Sequence, residues 1–381
     1  MLKKILCVLP QVTGGGAERF FITFLQQIDR SEYEPIAALV QRGGGFDGEI
    51  PNDVKLHVLT EKTFSTKLFA PLGPLRYVLA LRQLIDEIKP DAILSFGSLF
   101  NGAVALAAHL SKFPNPLLLI EAIHESSEIS QHNFLEKWSR TFFLRHTYPL
   151  ASAIIAISED VALDLRNNFS IKQNVKVIHY GLDLEHIRAL GSKTVEHKWL
   201  SHPREFSTIV ACGRLVVQKG FNVLLDAMCE VEDSVKLILV GDGEERAALN
   251  KQIQRLKLQE RIDLVGYDRN PYKYMAKADI FIMPSLWEGF GLVLLEAIAL
   301  GIPVIASDCP SGPRVILNNG ECGILVPPDD YYALATSINQ LINDNQLRKQ
   351  LTSAAFNRSE EFSAQKATKE YLNLFSIVGN W

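Results

Sequence analysis

The chain has 381 residues, of which 47% are apolar and 22% charged, with a net charge of −4. This composition excludes a disordered, collagen-like or disulfide-dense chain, and the charge excludes a bulk polycation that binds nucleic acid through its phosphates. The length exceeds the roughly 250–300 residues at which single hydrophobic cores stop growing, so we expect two domains.

The cysteines and the apolar stretches indicate the compartment. The five cysteines are scattered and form no C-x-x-C, which is typical of reduced thiols in a cytosolic protein. The most apolar stretch, 291–306, is too short for a membrane span and contains a glutamate, a glycine and a proline. The basic and apolar start resembles a signal peptide, but Pro10 and the glycines after it favour a first strand that leads into a loop. We therefore expect a cytoplasmic protein.

Taken in chain order, short β-branched runs alternate with longer segments of helical period. In the first half we predict strands at 5–9, 36–40, 55–59, 92–94, 117–120, 153–157 and 175–178. Helices are predicted between them at 18–28, 74–88, 102–110, 135–148 and 158–167. The second half predicts strands at 208–212, 236–240, 262–265, 280–283, 304–306 and 324–326, and helices at 221–231, 245–256, 292–300, 331–344 and 366–375.

This alternation predicts an α/β fold of two Rossmann-like, doubly wound parallel sheets with helices on both faces. The polar segment 191–205 lacks apolar periodicity and is the predicted linker between residues 1–190 and residues 206–360. Residues 361–381 are predicted to form a helix that packs back on the amino-terminal domain. Ligands of such sheets bind beyond the carboxyl ends of the strands, so we expect the functional residues at those ends.

The segment 278–308 contains the strongest candidate motif. The predicted strand 280–283 is followed by a loop with Glu288, Gly289 and Gly291, and then by a helix that contains Glu296. Free N–H groups at a helix start bind anions, and glycines let a ligand approach the backbone. The glutamates are suited to accept hydrogen bonds from sugar hydroxyls. The alternative is a simple strand–turn–helix unit with two solvated glutamates.

Further candidates follow other strands. Arg214 and Lys219 lie five residues apart in the loop after strand 208–212, where two cations suit a diphosphate, although surface charge is the alternative. Gly241-Asp242-Gly243 and Val265-Gly266-Tyr267 follow two further strands, where glycines also serve turn geometry alone. The loop with Gly15 and Gly16 lacks the dinucleotide motif G-x-G-x-x-G, and no Walker motif occurs in the chain.

These motifs together resemble one known family. In this order they are similar to the carboxyl-terminal domain of retaining glycosyltransferases of family 4, also described as glycosyl transferases group 1. The residues concerned are Gly213-Arg214 with Lys219-Gly220, Gly241-Asp242-Gly243, Glu288-Gly289-Phe290-Gly291 with Glu296, and Ala299, Gly301 and Pro303. The resemblance is strong over 207–330 and weaker around 14–19, 124, 158–159 and 179–183. It implies the GT-B architecture, in which two Rossmann-like domains face each other across a cleft.

The resemblance also implies roles for individual residues. Arg214 and Lys219 would bind the donor diphosphate, Glu288 the transferred sugar, and Glu296 the ribose hydroxyls. His124 matches the family's active-site histidine in the amino-terminal domain. Further donor-binding candidates are Gly15, Gly16, Gly213, Gly241, Gly266, Tyr267, Gly289, Phe290, Gly291 and Leu292. Val315 departs from the family, because many relatives have a glutamate there, so any contact of that carboxylate is in doubt.

The expected activity is the transfer of a hexose or N-acetylhexosamine, with retention, from a nucleotide diphosphate sugar to a hydroxyl of a glycan or lipid-linked glycan. UDP is the nucleotide we expect. No Asp-x-Asp occurs in the chain, so we expect no metal and no cofactor. The alternatives are a nucleotide-sugar epimerase, a phosphorylase, or a nucleotide-sugar-binding protein that has lost catalysis. Nothing in the sequence argues for the pyridoxal lysine of a phosphorylase.

Two stretches in the first half mix basic and aromatic residues, namely 62–85 and 134–148. Basic, aromatic amphipathic segments lie on anionic bilayers, although core-facing helices with a solvated basic face are the equal alternative. A polyprenol-linked acceptor at the inner membrane surface, with peripheral contact between the protein and that surface, is therefore a hypothesis.

Overall fold

The computed structural model describes residues 2–12, 15–42, 47–60, 77–113, 115–130, 133–172, 174–200 and 205–379. The chain forms two units: Met1–Gly181 together with Ala364–Trp381, and Leu182–Ser363. Gly14 and most of the predicted 62–85 segment lie outside the described residues.

The first unit is built on a seven-stranded parallel sheet in the order β3-β2-β1-β4-β5-β6-β7. Its strands are β1 Lys3–Leu9, β2 Tyr33–Leu39, β3 Lys55–Val58, β4 Ala92–Phe96, β5 Leu117–Glu121, β6 Ala153–Ala156 and β7 Val175–Val177. Its helices are α1 Gly16–Gln27, α2 Val78–Ile88, α3 Ser98–His109, α4 Glu125–Ser130, α5 Phe134–Thr147 and α6 Glu159–Asn168, followed at the end of the chain by α15 Ala364–Gly379. The strands are apolar runs because helices cover both faces of a parallel sheet.

An aromatic cluster joins α15 to this unit. The ring of Tyr371 on α15 is fully buried, and its centroid lies 5.2 Å from that of Phe20 on α1. Phe20 also packs against Phe96 at the end of β4, with the ring centroids 6.1 Å apart. Burial of such large rings contributes heavily to the stability of a core, so the last helix is an integral part of the first unit.

The second unit has a six-stranded parallel sheet in the order β10-β9-β8-β11-β12-β13. Its strands are β8 Thr208–Cys212, β9 Lys236–Val240, β10 Ile262–Gly266, β11 Ile280–Met283, β12 Val304–Ser307 and β13 Ile324–Val326. Its helices are α7 Leu184–Gly191, α8 Phe221–Ala227, α9 Arg246–Arg255, α10 Tyr272–Met275, α11 Leu292–Ala299, α12 Pro313–Ile316, α13 Tyr331–Asn343 and α14 Asn345–Ser359. The doubly wound α/β prediction is confirmed for both units.

The boundary between the units differs from the predicted one. It lies between Gly181 and Leu182, so α7 belongs to the second unit and not to the first. The reason is packing, since a Cβ on Gly191, at the end of α7, would meet side chains of Leu300 and Ala276. The described part of the predicted linker also contacts the second unit, where the backbone carbonyl of Trp199 accepts a hydrogen bond from the Thr208 hydroxyl at 2.8 Å.

Candidate active site

The order of the second sheet brings two loops together. β8 and β11 are neighbours in the sheet, so the loops that follow them start side by side. The chain then leads from β8 to β9 on one side of this pair, and from β11 to β12 on the other side. Open α/β sheets bind ligands at such a switch point. The loop after β8 contains Arg214 and Lys219, and the loop after β11 contains Glu288.

The two loops are in direct contact. A Cβ on Gly220 would overlap the backbone carbonyl of Pro284, and φ of Gly220 is 61°, so only glycine allows this approach. The backbone N–H of Leu286 donates to the carbonyl of Gln218 at 2.8 Å. The side-chain amide of Gln218 in turn donates to the carbonyl of Trp287 at 3.0 Å. These contacts fix the position of one loop relative to the other.

An ion pair joins the same two loops. Nζ of Lys219 lies 2.5 Å from Oε1 of Glu288. The same oxygen accepts a hydrogen bond from the hydroxyl of Ser285 at 2.7 Å. The Lys219 side chain is 16% exposed and that of Glu288 is 7% exposed. A cation and a carboxylate that were predicted to serve different parts of the donor are therefore neighbours.

Arg214 stands apart from this pair. It is exposed, and no described residue forms a hydrogen bond or an ion pair with its guanidinium group. A planar guanidinium in this state is able to bind a phosphate through two parallel hydrogen bonds.

Helix α11 begins directly after the Glu288 loop. Its N-cap is Gly291, with φ 88°, and no side chain caps the helix start. The first backbone hydrogen bond to Gly291 comes from Leu294, so the N–H groups of Leu292 and Val293 have no acceptor within the helix. Such groups, together with the positive end of the helix dipole, attract an anion.

The glutamates of this segment are both buried. Glu288 is 6% exposed and Glu296 is 4% exposed, so the alternative of two solvated glutamates is wrong. Glu296 Oε1 accepts the hydroxyl of Tyr272 at 2.9 Å. Tyr272 lies on the short helix α10, and its part in the site had no sequence signal because the contact is tertiary.

A third loop packs against the start of α11. Gly312 follows β12 with φ 91°, and its backbone lies against that of Phe290, whose ring is buried near Phe362. Val315 lies on the adjacent short helix α12, and its carbonyl accepts a hydrogen bond from Arg358 at 2.9 Å. Sequence reasoning singled out Val315 in this loop and missed the contact of Gly312 with Phe290.

The turns after β9 and β10 meet at the same edge of the sheet. A Cβ on Gly241 would overlap the carbonyl oxygen of Gly213, and the N–H of Gly241 donates to the carbonyl of Gly266 at 2.8 Å. Tyr267 is 63% exposed. Close backbone packing thus explains why position 241 is a glycine. Donor contacts of Gly213, Gly241, Gly266 and Tyr267 stay predictions. The same holds for Gly289, which is half-buried.

In the first unit, Gly15 and Gly16 follow β1. Gly15 is the N-cap of α1, and its carbonyl accepts the N–H of Arg19 at 3.0 Å. A Cβ on Gly15 would overlap the carboxylate of Glu18, which lies in the first turn of α1. Gly15 and Gly16 therefore form the start of α1, and their role in donor binding stays a prediction.

His124 lies between β5 and α4. Its Nδ1 is 2.9 Å from the hydroxyl of Ser127 and 3.9 Å from Oδ2 of Asp164. The backbone N–H of Ser126 donates to the same carboxylate at 3.0 Å. The imidazole is held through Nδ1 at an orientation set by α4 and α6, and its side chain is 17% exposed.

Three residues before His124 lies a buried acid that sequence reasoning missed. Glu121, the last residue of β5, is fully buried, accepts the N–H of Ile123 at 3.1 Å, and accepts the hydroxyl of Tyr148. Burial, together with the neighbouring Glu125, raises the pKa of Glu121 to about 8. An acid at the end of an otherwise apolar strand was the available signal.

A buried ion pair fixes the other side of the same segment. Glu125 is fully buried and receives two hydrogen bonds from Arg140 of α5, one from Nε at 2.8 Å and one from Nη2 at 3.0 Å. This fork geometry is the strongest form of a charged hydrogen bond. Its partners lie fifteen residues apart in the sequence, and only the fold brings them together.

The described residues contain neither a metal-binding cluster nor a membrane-spanning helix. Among the described residues, no group of three or more histidine, cysteine, aspartate or glutamate side chains could hold a metal ion. Within the same ranges, none of the helices is both long and apolar enough to cross a bilayer. The expectation that catalysis needs no metal stays a prediction.

Comparison with known proteins identifies the class. Residues 14–186 match the family model described as Glycosyltransferase Family 4, and residues 192–358 match the model described as Glycosyl transferases group 1. The two Rossmann-like units and these matches define a glycosyltransferase of the GT-B architecture. The chain belongs to glycosyltransferase family 4, with a group 1 carboxyl-terminal domain.

Relatives of known name are similar over the full chain. A Campylobacter jejuni N-acetylgalactosamine-N,N'-diacetylbacillosaminyl-diphospho-undecaprenol 4-alpha-N-acetylgalactosaminyltransferase is 28% identical and covers 97% of this chain and 99% of its own. A second enzyme of that organism, a GalNAc-alpha-(1->4)-GalNAc-alpha-(1->3)-diNAcBac-PP-undecaprenol alpha-1,4-N-acetyl-D-galactosaminyltransferase, is 24% identical, with complete coverage of both chains. The chain is also similar to a crystal structure of Anabaena Alr3699/HepE in complex with UDP and glucose, with 25% sequence identity and a TM-score of 0.79. The match covers 98% of this chain and 99% of the Anabaena chain. The predicted enzyme class is thereby confirmed.

Proposed function

We propose that this enzyme transfers a hexose or N-acetylhexosamine from a UDP-sugar to a hydroxyl of a polyprenol-linked glycan, with retention and without a metal. The observation that supports this most is the Lys219–Glu288 pair next to the uncapped start of α11. It puts a cation, an acceptor for hydroxyl hydrogens and an anion site in adjacent loops.

The donor diphosphate is the group that these cations serve. Arg214 and Lys219 neutralise the charge that grows on the leaving UDP, and the N–H groups of Leu292 and Val293 bind the phosphate next to the sugar. Preorganised donors of this kind each contribute about 10²–10³ in rate. They thus do the work that a divalent cation does elsewhere.

The glutamates recognise neutral hydroxyl groups. Glu288 is held by Lys219 and Ser285 through Oε1, and Oε2 is assigned to the hydroxyls of the transferred sugar. Glu296, oriented by the Tyr272 hydroxyl, is assigned to the ribose. Carboxylates that are already buried and fixed lose little entropy when the donor binds.

The chemical step follows from these contacts. The bond from the anomeric carbon to the diphosphate oxygen breaks, and its electron pair leaves with UDP. The transition state has oxocarbenium character, as in glycoside hydrolysis. The acceptor hydroxyl attacks from the face that UDP leaves, and its proton passes to the departing phosphate oxygen. His124, held through Nδ1, is assigned a hydrogen bond to the sugar from its other nitrogen.

The acceptor proposal draws on the relatives. Two of them act, by name, on undecaprenol diphosphate-linked saccharides, and they cover 97% and 100% of this chain. A glycan of this kind is attached to a bilayer, so we place the reaction at the inner membrane surface, with the enzyme bound peripherally.

The proposal is tested by donor and acceptor screens. Nucleotide sugars are compared by thermal shift, since a ligand that binds only the folded chain raises its Tm. UDP release is then measured with polyprenol diphosphate-linked saccharides in EDTA. We expect one UDP-sugar to raise Tm and to release UDP only when acceptor is present. Release at the same rate without acceptor, or stabilisation by other nucleotides alone, would contradict the proposal.

A further inference from the structure

Helix α5 has two different faces. Leu144 and Thr147 face the interior and are buried, and Arg140 on that side binds Glu125. Asn133 caps the helix start by accepting the N–H of Glu136 at 3.0 Å. The buried face and the bond to Glu125 attach α5 to the first unit, and the opposite face is exposed.

The outward face consists of large apolar side chains. Four of them lie within nine residues and form what we name the α5 stripe: Phe134, 78% exposed, Leu135, 75%, Trp138, 62%, and Phe142, 50%. Phe134, Trp138 and Phe142 follow each other at four-residue spacing, which aligns them on one side of a helix. The rings of Trp138 and Phe142 are stacked, with their centroids 5.5 Å apart.

Exposure on this scale has a cost that isolated surface residues do not share. Single exposed apolar residues are normal, whereas a contiguous apolar patch marks a surface that another phase or partner covers. Stacking of Trp138 on Phe142 shows that these two side chains form one continuous surface, and Phe134 lies one turn before Trp138 on the same side of the helix.

The charge around the stripe points to an anionic partner. Apart from Arg140, whose charge is matched by buried Glu125, α5 contains the basic residues Lys137 and Arg145 against the single acid Glu136. Arg145 is exposed, and it donates to the carbonyls of Phe169 and Asn168 at 3.2 Å, which fixes it beside the helix. Tryptophan and phenylalanine flanked by basic residues are the pattern of a helix that lies in the headgroup region of a bilayer.

We propose that the α5 stripe is the surface through which the enzyme binds an anionic lipid bilayer. This inference rests on the proposed function, because a polyprenol-linked acceptor is reached from the membrane surface. Arg140 then links the membrane-binding helix to the segment that contains His124, because it binds Glu125, the residue after His124. Binding of α5 to lipid would thereby hold the segment that contains His124 near the membrane.

Co-sedimentation of the full chain with lipid vesicles tests the proposal. Vesicles of phosphatidylcholine alone are compared with vesicles that also contain phosphatidylglycerol, without donor or acceptor. We expect wild-type binding to rise with phosphatidylglycerol. Trp138→Ser/Phe142→Ser should weaken binding by about tenfold or more, given the apolar area withdrawn from the bilayer. Lys137→Glu should reduce the dependence on phosphatidylglycerol.

A matched control is Tyr332→Ser, because Tyr332 is a 66% exposed aromatic residue on α13 of the second unit, and its binding should equal that of wild type. If the double variant fails to fold, Phe134→Ser/Leu135→Ser at the helix start replaces it. Wild-type chain that stays in the supernatant, or stripe variants that sediment like wild type, would overturn the inference. The inference would also be overturned if the wild-type chain were a dimer that binds no vesicles and the stripe variants were monomers.

The result is separable from the proposed function. UDP-sugar binding and transfer to a water-soluble, short-chain acceptor are measured without vesicles, and the stripe variants should retain both. Loss of vesicle binding with intact transfer supports the inference. Absence of transfer in wild type, with stripe-dependent vesicle binding, would contradict the proposed function alone.

Discussion

Lys219 and Glu288 lie 69 residues apart in the sequence, and their charged atoms are 2.5 Å apart in the fold. The sheet order explains this contact, because β8 and β11 are neighbours and their loops leave the same edge. A buried pair of this kind is costly to desolvate and is weak evidence for a stabilising role, which favours a role in the site.

Arg214→Ala should lower kcat/KM for transfer by about 10²–10³ and leave Tm unchanged, because the guanidinium is exposed and has the phosphate as its partner. Steady-state kinetics with the preferred donor would measure this. The control is Arg255→Ala, since Arg255 is a 71% exposed arginine on α9 of the same unit and should have wild-type kinetics. Wild-type transfer by Arg214→Ala would remove this residue from the diphosphate site.

Lys219→Met should lower Tm, because it leaves the Glu288 carboxylate buried without its cation, at a cost of about 3–5 kcal/mol. Lys219→Met/Glu288→Gln should recover part of that loss and yet remain inactive. Thermal unfolding and UDP release are measured for Lys219→Met, for Glu288→Gln and for the double variant. Recovery of transfer in the double variant would show that the pair serves only the fold.

Gly312→Ala should weaken UDP binding, since a Cβ there would displace the backbone of Phe290 just before α11. Gly320→Ala is the matched control, because Gly320 has φ 98° but open space around it. Both variants lose about 1–2 kcal/mol from the backbone conformation. Isothermal titration with UDP should show weaker binding for Gly312→Ala only, and equal affinities would contradict this role of the loop.

Glu121 predicts a pH dependence of stability. Because burial raises its pKa from 4.5 to about 8, the folded state keeps a proton that the unfolded state releases between these values. The contribution of protonated Glu121 to the free energy of unfolding is therefore complete below pH 4.5. It declines as the pH rises to about 8, by at most about 1.4 kcal/mol per pH unit. Glu121→Gln should therefore gain in Tm relative to wild type from pH 5 to pH 8, and a constant Tm difference would contradict this pKa.

The sequence predicted the sheets well and parts of the helical layer poorly. Every predicted strand exists, because buried parallel strands are continuous apolar runs with clear ends. Helices α7 and α14 were missed, since each buries only a narrow stripe, although Asp183 and Asp344 cap them as sequence signals. The predicted linker lies within the second unit for a related reason, because contacts such as that of the Trp199 carbonyl with Thr208 follow no local pattern.

The site shows the same division. Glycines and charged residues at strand ends were visible because their positions follow from chain order. The partners of those residues were not, since Ser285, Tyr272 and Arg140 gain their meaning only through packing. Buried Glu121 was missed because its partner Tyr148, which directly follows α5, reaches it only through packing.

The central claim is that Arg214, Lys219 and the start of α11 hold the donor diphosphate without a metal. A crystal structure of the chain grown with UDP and EDTA tests it most directly. We predict that the β-phosphate lies within hydrogen-bond distance of both cations and of the N–H of Leu292, with no cation density between them. UDP bound away from α11, or bound only when magnesium bridges its phosphates to the protein, would contradict the account.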